Sequence, residues 1–130
     1  APDRKTRLEA ARAWSVWEGS TVTLLPDPGL REHHADEDYA LAFARIENHY
    51  FHNRGFLTPN QLIDGVEAIR DIPGVIVQGR YDVCTPVRTA YDLHRAWPEA
   101  EFNIIDDAGH AFDEPGILDR LIEATDRFAG

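Results

Sequence analysis

The fold of this chain is decided by the stretch VIVQGRYD, which occupies residues 75–82. Three β-branched residues in succession, between a turn-forming segment at residues 72–74 and Gly79, predict a buried strand. Continuous apolar strands of this kind are typical of parallel sheets, so a parallel partner strand is expected further along the chain. Asp82 follows the strand directly and is therefore predicted to lie on a loop beside the edge of the sheet.

The residues after this stretch complete a βαβα pattern. Thr85 and Pro86 predict the start of a helix that ends near Trp97, with Thr85 as the N-cap. A second strand, EFNII, follows at residues 101–105, and a last helix is expected to begin near Glu114. Strands and helices that alternate at this spacing predict an α/β fold with neighbouring parallel strands.

Asp82 and His110 both leave the carboxyl ends of the predicted strands, where open α/β sheets carry their chemistry. An acid followed by a histidine in this order matches the last two members of a nucleophile, acid and histidine triad. Each residue also has a plainer interpretation, because a loop aspartate is usually a turn former and a loop histidine is usually solvated. The pattern alone leaves both interpretations open.

The residues before position 71 have a helical pattern instead. Three helices are predicted: residues 5–19 without an N-cap of their own, residues 36–53 with Asp36 as the cap, and a helix to residue 70 that starts from the capping box Thr58-Pro59-Asn60-Gln61. Residues 20–35 are predicted to form a connector, in which residues 21–25 suit a short strand. The chain therefore divides into a helical part, residues 1–70, and a βα part, residues 71–130.

Two glutamates lie on aromatic faces of the predicted helices. Glu47 falls on the apolar stripe of its helix, and Glu18 follows Trp14 by four residues. A carboxylate beside aromatic rings is unfavourable unless a cation or hydrogen-bond donors meet it, so each is a candidate to receive a positively charged group. The plainer interpretation is an ion pair with a nearby arginine such as Arg12 or Arg45, and the pattern alone favours it.

The composition limits the classes of partner. Acidic residues number 23 and basic residues 13, which gives a net charge of -10 at pH 7. Nucleic acids and anionic membranes would repel such a chain, whereas cationic small molecules suit it. Cys84 is the only cysteine, which excludes an internal disulfide, and we interpret it as a small buried hydrophobic residue. Because no apolar run approaches about 18 residues, we expect a soluble, cytoplasmic protein.

Two pairs of histidines are candidate metal ligands. His49 and His52 are three residues apart on a predicted helix, and His33 and His34 lie near acidic residues. Since no third ligand has a recognised metal-binding spacing, we interpret these histidines as surface residues and expect no metal and no cofactor.

A triad also needs a nucleophile on a tight strand-to-helix turn, as in Gly-x-Ser-x-Gly, ahead of the acid and the histidine. The two serines, Ser15 and Ser20, lack that setting. A parallel sheet of two strands is, in addition, too small to be covered and stable by itself. The sequence therefore looks like the C-terminal portion of a larger enzyme.

Four stretches resemble the proline iminopeptidases, a family of the α/β-hydrolase superfamily. They are AWSVWE at residues 13–18, AFARIENHYF at 42–51, VQGRYD at 77–82 and GHAFDEP at 109–115. The last two are similar to loops of many α/β-hydrolases, whereas the first two resemble the helical cap that this family lays over its active site. The resemblance implies that residues 1–70 form a cap segment and residues 71–130 the C-terminal βαβα part of an α/β-hydrolase.

The resemblance also implies roles for the candidate residues. Asp82 and His110 would be the acid and base of a triad whose serine lies in the missing N-terminal half, and Glu18 and Glu47 would receive the amine of an N-terminal proline. Peptides with N-terminal proline are then the substrates, and no cofactor is needed. An α/β-hydrolase of other specificity, such as an esterase, and a non-catalytic fragment or interaction module are the alternatives.

Overall fold

The computed structural model describes residues 3–129 of the chain. They form two compact units. The first unit contains residues 3–21 and Leu25–Pro59, and the second contains Val22–Leu24 and residues 60–129. The boundary between residues 59 and 60 lies ahead of position 71, where the sequence pattern changes.

The first unit consists of helices, each begun by an aspartate. They are α1 at Arg4–Gly19, α2 at Pro28–Ala35 and α3 at Glu37–His52, followed by a 3₁₀ turn at Arg54–Phe56. The side chains of Asp3, Asp27 and Asp36 each accept a hydrogen bond from a backbone N–H of the first turn. A cap of this kind stabilises a helix by about 0.5–2 kcal/mol. Helices α1 and α3 confirm the predicted ones, but Asp3 corrects the expectation that α1 has no cap.

Helix α2 was missed, because residues 20–35 were predicted to be a connector. Residues 26–29, which include two prolines and a glycine, were interpreted as the end of a possible short strand and not as the start of a helix. Pro28 instead occupies the first helical position, where its missing N–H has no consequence, and Asp27 caps the helix. Residues 21–25 form turns and bends and not the short strand considered for them.

The packing of the first unit centres on a buried histidine, which corrects the prediction that His34 is a surface residue. Its exposed fraction is 6%. Nδ1 donates to the backbone oxygen of Ser15 at 2.8 Å, and the ring packs edge-on against Phe43 at 5.2 Å between centroids. A Cβ atom on Gly19 would lie 2.6 Å from the same ring, so this position requires glycine. The other three histidines considered as metal ligands, His33, His49 and His52, are exposed.

The second unit contains the predicted βαβα order. Strand β1 at Val75–Gly79 pairs in parallel with β2 at Glu101–Ile105, and the helices are α5 at Val87–Ala96 and α6 at Pro115–Phe128. Both helices contact β1, and α6 also contacts β2. Most residues of the two strands are only half-buried in this unit. A mixture of helices with a small parallel sheet agrees with the α/β expectation.

Two predicted helix starts were wrong. The helix expected to reach residue 70 is a short α4 at Gln61–Asp64 followed by a 3₁₀ turn at Val66–Ile69, and the residue before α4 is Asn60 in the left-handed conformation with φ 62°. Helix α4 therefore begins at Gln61 and not at Pro59, the position that follows the predicted cap. Helix α5 begins after Pro86 and not after Thr85. No helix in the part of the chain that the structure describes is long and apolar enough to cross a membrane.

Candidate active site

Asp82 lies on the loop after β1, and its exposed fraction is 8%. The loop turns back on the carboxylate, so that donors from backbone and side chains reach both oxygens. Oδ1 accepts from the N–H groups of Cys84 (2.9 Å) and Thr85 (2.8 Å), and Oδ2 accepts from the Thr85 hydroxyl (2.9 Å), Gln78 Nε2 (3.1 Å) and His110 Nδ1 (2.9 Å). Since a carboxylate has about four lone-pair positions, these bonds saturate it and fix its orientation.

Burial and hydrogen bonding act on the acidity of Asp82 in opposite directions. Desolvation raises the pKa of the carboxyl group, whereas the hydrogen bonds from the Thr85 backbone, from His110 and from the Thr85 hydroxyl lower it. The hydrogen bonds outweigh burial, and the pKa lies below its ordinary value of 3.8. Asp82 is therefore ionised at neutral pH and presents a negative charge to the histidine.

His110 lies on the loop after β2, and 40% of its side chain is exposed. Its Nδ1 is 2.9 Å from Asp82 Oδ2 and 3.3 Å from the Thr85 hydroxyl oxygen. Because the hydroxyl gives its own proton to Asp82, it can only accept from the ring, and both neighbours therefore require a proton on Nδ1. This tautomer leaves Nε2 as the nitrogen that can take up a proton.

The two loops are held together by their backbones. The N–H of Arg80 donates to Ile105 at 2.9 Å, and the N–H of Tyr81 donates to Ala108 at 3.0 Å. A Cβ atom on Gly79 would lie 1.8 Å from the backbone oxygen of Gly109, so only glycine permits this approach. The distance between Asp82 and His110 is thus set by the backbone and not by flexible side chains.

The segment Val22–Leu24 also contacts the histidine loop within the second unit. The N–H groups of His110 and Ala111 both donate to the backbone oxygen of Val22, at 2.8 Å each. The backbone on either side of His110 is therefore anchored to residues that are far away in the sequence.

Glu47 and Glu18 lie in the first unit, on the packed helices α3 and α1. Glu47 Oε2 accepts a hydrogen bond from the indole N–H of Trp14 at 2.6 Å. Glu18 is half-buried and follows Trp14 by one helical turn. Arg12, one of the two arginines proposed as an ion-pair partner, donates instead to the backbone oxygen of Ala35. Among the residues described, no arginine forms an ion pair with Glu47, so the plainer interpretation of that residue was wrong.

A metal ion has one conceivable location in this site. Asp82, Cys84 and His110 each offer a ligand atom, and these atoms lie within 4.8 Å of one another. An ion would have to replace the hydrogen bond between His110 and Asp82 and share oxygens that already have five donors. The group is thus arranged for a proton rather than for a metal. Cys84 is half-buried, which corrects its prediction as a buried residue.

Sequence reasoning missed the residues that surround the acid. The Gln78 amide donates to Asp82 and to the backbone oxygen of Thr85, while Thr85 supplies both its N–H and its hydroxyl to the carboxylate. An available signal was the spacing of Thr85, three residues after the acid, because a side-chain oxygen commonly binds the N–H two or three residues later. We interpreted Thr85 as a helix cap instead.

The site thus joins an ionised aspartate to a histidine of defined tautomer on the loops of adjacent parallel strands, an arrangement typical of α/β enzymes with a catalytic triad. The chain is 55% identical over 127 residues to a protein named probable proline iminopeptidase from Leptolyngbya boryana, 54% identical over 128 residues to proline iminopeptidase from Xanthomonas citri, and 50% identical over 126 residues to that from Arabidopsis thaliana.

These alignments include 96–98% of this chain. The resemblance to the proline iminopeptidases is therefore confirmed over nearly the whole sequence given. The chain spans about 40% of the length of the Leptolyngbya and Xanthomonas relatives and 33% of the Arabidopsis one. No protein-family model matches the chain.

Proposed function

We propose that this chain is the C-terminal part of a serine exopeptidase that removes proline from the N-termini of peptides. The observation that carries the proposal is the 2.9 Å hydrogen bond between His110 Nδ1 and Asp82 Oδ2, in a chain whose relatives are named for this activity. In this proposal, His110 is the general base and acid, and Asp82 orients it and stabilises its protonated form.

The proposed reaction needs a serine from the missing N-terminal half. Ser15 is fully buried, and Ser20 donates its hydroxyl proton to the backbone oxygen of Val16, so neither is placed as a nucleophile for His110. The incoming serine oxygen bonds to the carbonyl carbon of the N-terminal proline while His110 Nε2 takes its proton. The carbon–nitrogen bond of the peptide then breaks, and His110 returns the proton to the leaving amine. Water repeats both steps and releases proline.

We further propose that residues 71–130 are part of an α/β-hydrolase domain and that residues 1–70 form a segment of its helical cap. The half-buried strands support this assignment, because parallel sheets normally have both faces covered and more than two strands. In the complete enzyme, additional strands and helices from the missing half would cover them. A cytoplasmic location stays a prediction of the same kind, since it rests on the sequence alone.

Glu47 and Glu18 are proposed to bind the substrate amine. The residues that the structure describes donate one hydrogen bond to Glu47, from Trp14, so the carboxylate retains capacity for an ammonium group. Trp14 holds Glu47 in place, and its ring packs near Phe51 with centroids 6.1 Å apart, which gives the carboxylate an aromatic neighbourhood. A charge-assisted hydrogen bond there contributes about 1.5–3 kcal/mol to binding.

The deciding experiment is hydrolysis of a proline arylamide, with a free or an acetylated amine, by this chain and by a longer parent protein that contains the upstream sequence. We expect only the parent to cleave, and only the free-amine substrate. Equal cleavage of the acetylated substrate would favour an esterase-like enzyme of other specificity. Cleavage by the 130-residue chain itself would mean that the nucleophile lies within it and would overturn the proposed mechanism.

A further inference from the structure

Glu114, just ahead of helix α6, connects two segments around the histidine loop. Its Oε2 accepts a hydrogen bond from the N–H of Gly109 at 2.5 Å, and its Oε1 accepts one from the N–H of Leu24 at 2.6 Å. Gly109 immediately precedes His110, and Leu24 belongs to the segment that lies along the histidine loop. The one carboxylate therefore bridges both segments, with one oxygen for each.

Around His110, this bridge completes a set of backbone contacts. The N–H of Gly109 binds Glu114, and the N–H groups of His110 and Ala111 bind the backbone oxygen of Val22. Three consecutive N–H groups of the loop are thus satisfied, and none of them by its own strand or helix. A Cβ atom on Gly109 would lie 2.9 Å from the nitrogen of Leu24, which shows how closely the two segments approach.

The chemistry of the bridge requires a carboxylate. Both groups that bind Glu114 are N–H donors, and each binds a different oxygen, so both carboxylate oxygens have to be acceptors. A glutamine has only one oxygen, so its amide NH₂ would point toward one of the two N–H groups. That hydrogen bond would be lost, and two donors would face each other. The negative charge is also favourable ahead of α6, because the first turn of a helix has unpaired N–H groups.

We propose that Glu114 is a positioning residue for the proposed peptidase reaction and that its carboxylate fixes the loop on which His110 acts as base. This inference rests on the proposed function. The Glu114 carboxylate acts through the backbone of Gly109 and of the segment Val22–Leu24. The rate of the proposed reaction depends on the position of this loop, because the loop places the His110 ring. A displacement of the ring by about 1 Å reduces the rate by about 100-fold.

The test compares Glu114→Gln with wild type in the longer parent protein, with proline arylamide as substrate. We expect kcat to fall by about 10- to 100-fold while KM changes by less than about twofold, because the base is displaced and the amine-binding glutamates are not. Glu123→Gln is the matched control, since Glu123 lies on α6, is exposed and pairs with Arg120. A kcat within about twofold of wild type for Glu114→Gln would overturn the proposal.

A second variant covers the case in which Glu114→Gln fails to fold. Glu114→Asp keeps the charge but is shorter by one methylene group and cannot reach Gly109 and Leu24 together, so its kcat should fall as well. Full activity of Glu114→Asp would contradict the bridging role.

Failure of the proposed function can be recognised separately. If the wild-type parent does not cleave proline arylamide, the peptidase proposal fails, and Glu114 is then tested in the same parent protein by the ¹⁵N chemical shifts of the His110 ring. The Nδ1-protonated tautomer should dominate in wild type and lose population in Glu114→Gln. Identical ring shifts in the two proteins would overturn the positioning role.

Discussion

The two units of this chain differ in how many hydrogen bonds their candidate functional carboxylates accept. In the second unit, Asp82 is buried and accepts five hydrogen bonds, one of them from His110. In the first unit, Glu47 is half-buried and accepts one hydrogen bond from the described residues, that of the Trp14 indole. A saturated carboxylate serves a partner inside the protein, whereas one with spare acceptor capacity suits a partner that arrives with the substrate. The difference can be tested from both sides.

The largest effect is expected at the saturated carboxylate. Asp82→Asn in the longer parent should lower kcat for proline arylamide by about 10⁴-fold, because an amide nitrogen facing His110 favours the wrong tautomer. Asp92→Asn is the matched control and should retain activity, since Asp92 is half-buried on α5 and pairs with Arg88. Steady-state kinetics with more than about a tenth of wild-type kcat for Asp82→Asn would remove Asp82 from the mechanism.

A smaller and more selective effect is expected at the glutamates of the first unit. Glu47→Gln, and separately Glu18→Gln, should lower kcat/KM for the free-amine substrate by about 10- to 150-fold, the equivalent of one charge-assisted hydrogen bond. Hydrolysis of an acyl ester that lacks the amine should change far less. Glu9→Gln, at an exposed position of α1, controls for loss of charge. If both substrates are affected equally, the glutamates do not bind the amine.

Two glycines allow the rigidity of the units to be compared. A Cβ atom on Gly79 would meet the backbone oxygens of Gly109 and Ala108 at 1.8 and 2.8 Å, and one on Gly19 would meet the ring of His34 at 2.6 Å. Backbone cannot move aside as a side chain can, so Gly79→Ala should destabilise the second unit by about 3 kcal/mol or more, and Gly19→Ala should destabilise the first unit by about 1–2 kcal/mol.

Urea unfolding followed by the indole NMR signals of Trp14 and Trp97 measures the two effects separately, since Trp14 lies in the first unit and Trp97 in the second. Gly29→Ala is the control, because its nearest neighbour would be a side-chain oxygen at 3.4 Å. Equal losses at Gly19 and Gly79 would contradict the view that the backbone fixes the site.

The smallest effect concerns acid stability. The folded-state pKa of Asp82 lies below its ordinary value of 3.8, so ionised Asp82 stabilises the second unit above that pH, and the contribution disappears as pH falls through the folded-state pKa. Asp82→Asn should therefore have a flatter dependence of unfolding free energy on pH below about pH 5. Urea titrations at several acidic pH values, read from Trp97, check this. Parallel curves for the two proteins would show that Asp82 contributes nothing there.

Much of the fold was predictable because it depends on local patterns. The run of β-branched residues in β1, the helical spacing of α3 and Pro115 at the first position of α6 are signals within a few residues, and the structure has all three elements. Where local signals conflict, prediction failed. Helix α2 was not predicted because Pro28 and Gly29 are more typical of turns. Gly65 ends α4 after one turn, whereas the sequence pattern predicted a helix to residue 70.

The candidate site was predictable only in part, for the same physical reason. Asp82 and His110 follow strands that were recognised, so their neighbourhood follows from the parallel order of β1 and β2. The partners of those residues come from contacts that no sequence spacing encodes. Leu24 and Glu114 are 90 residues apart, and the bond between them depends on the folded chain and not on either local pattern.

The segment Val22–Leu24 limits how parts of this protein can be exchanged with those of its relatives. It separates two stretches of the first unit in the sequence, yet its contacts are those of the second unit. A chimera made by one splice at residues 59 and 60 would bring in foreign residues at positions 22–24 along with the helices. Val22 binds the histidine loop through its backbone oxygen and not through its side chain. The chimera therefore keeps the site only if the new segment follows the same backbone path beside His110.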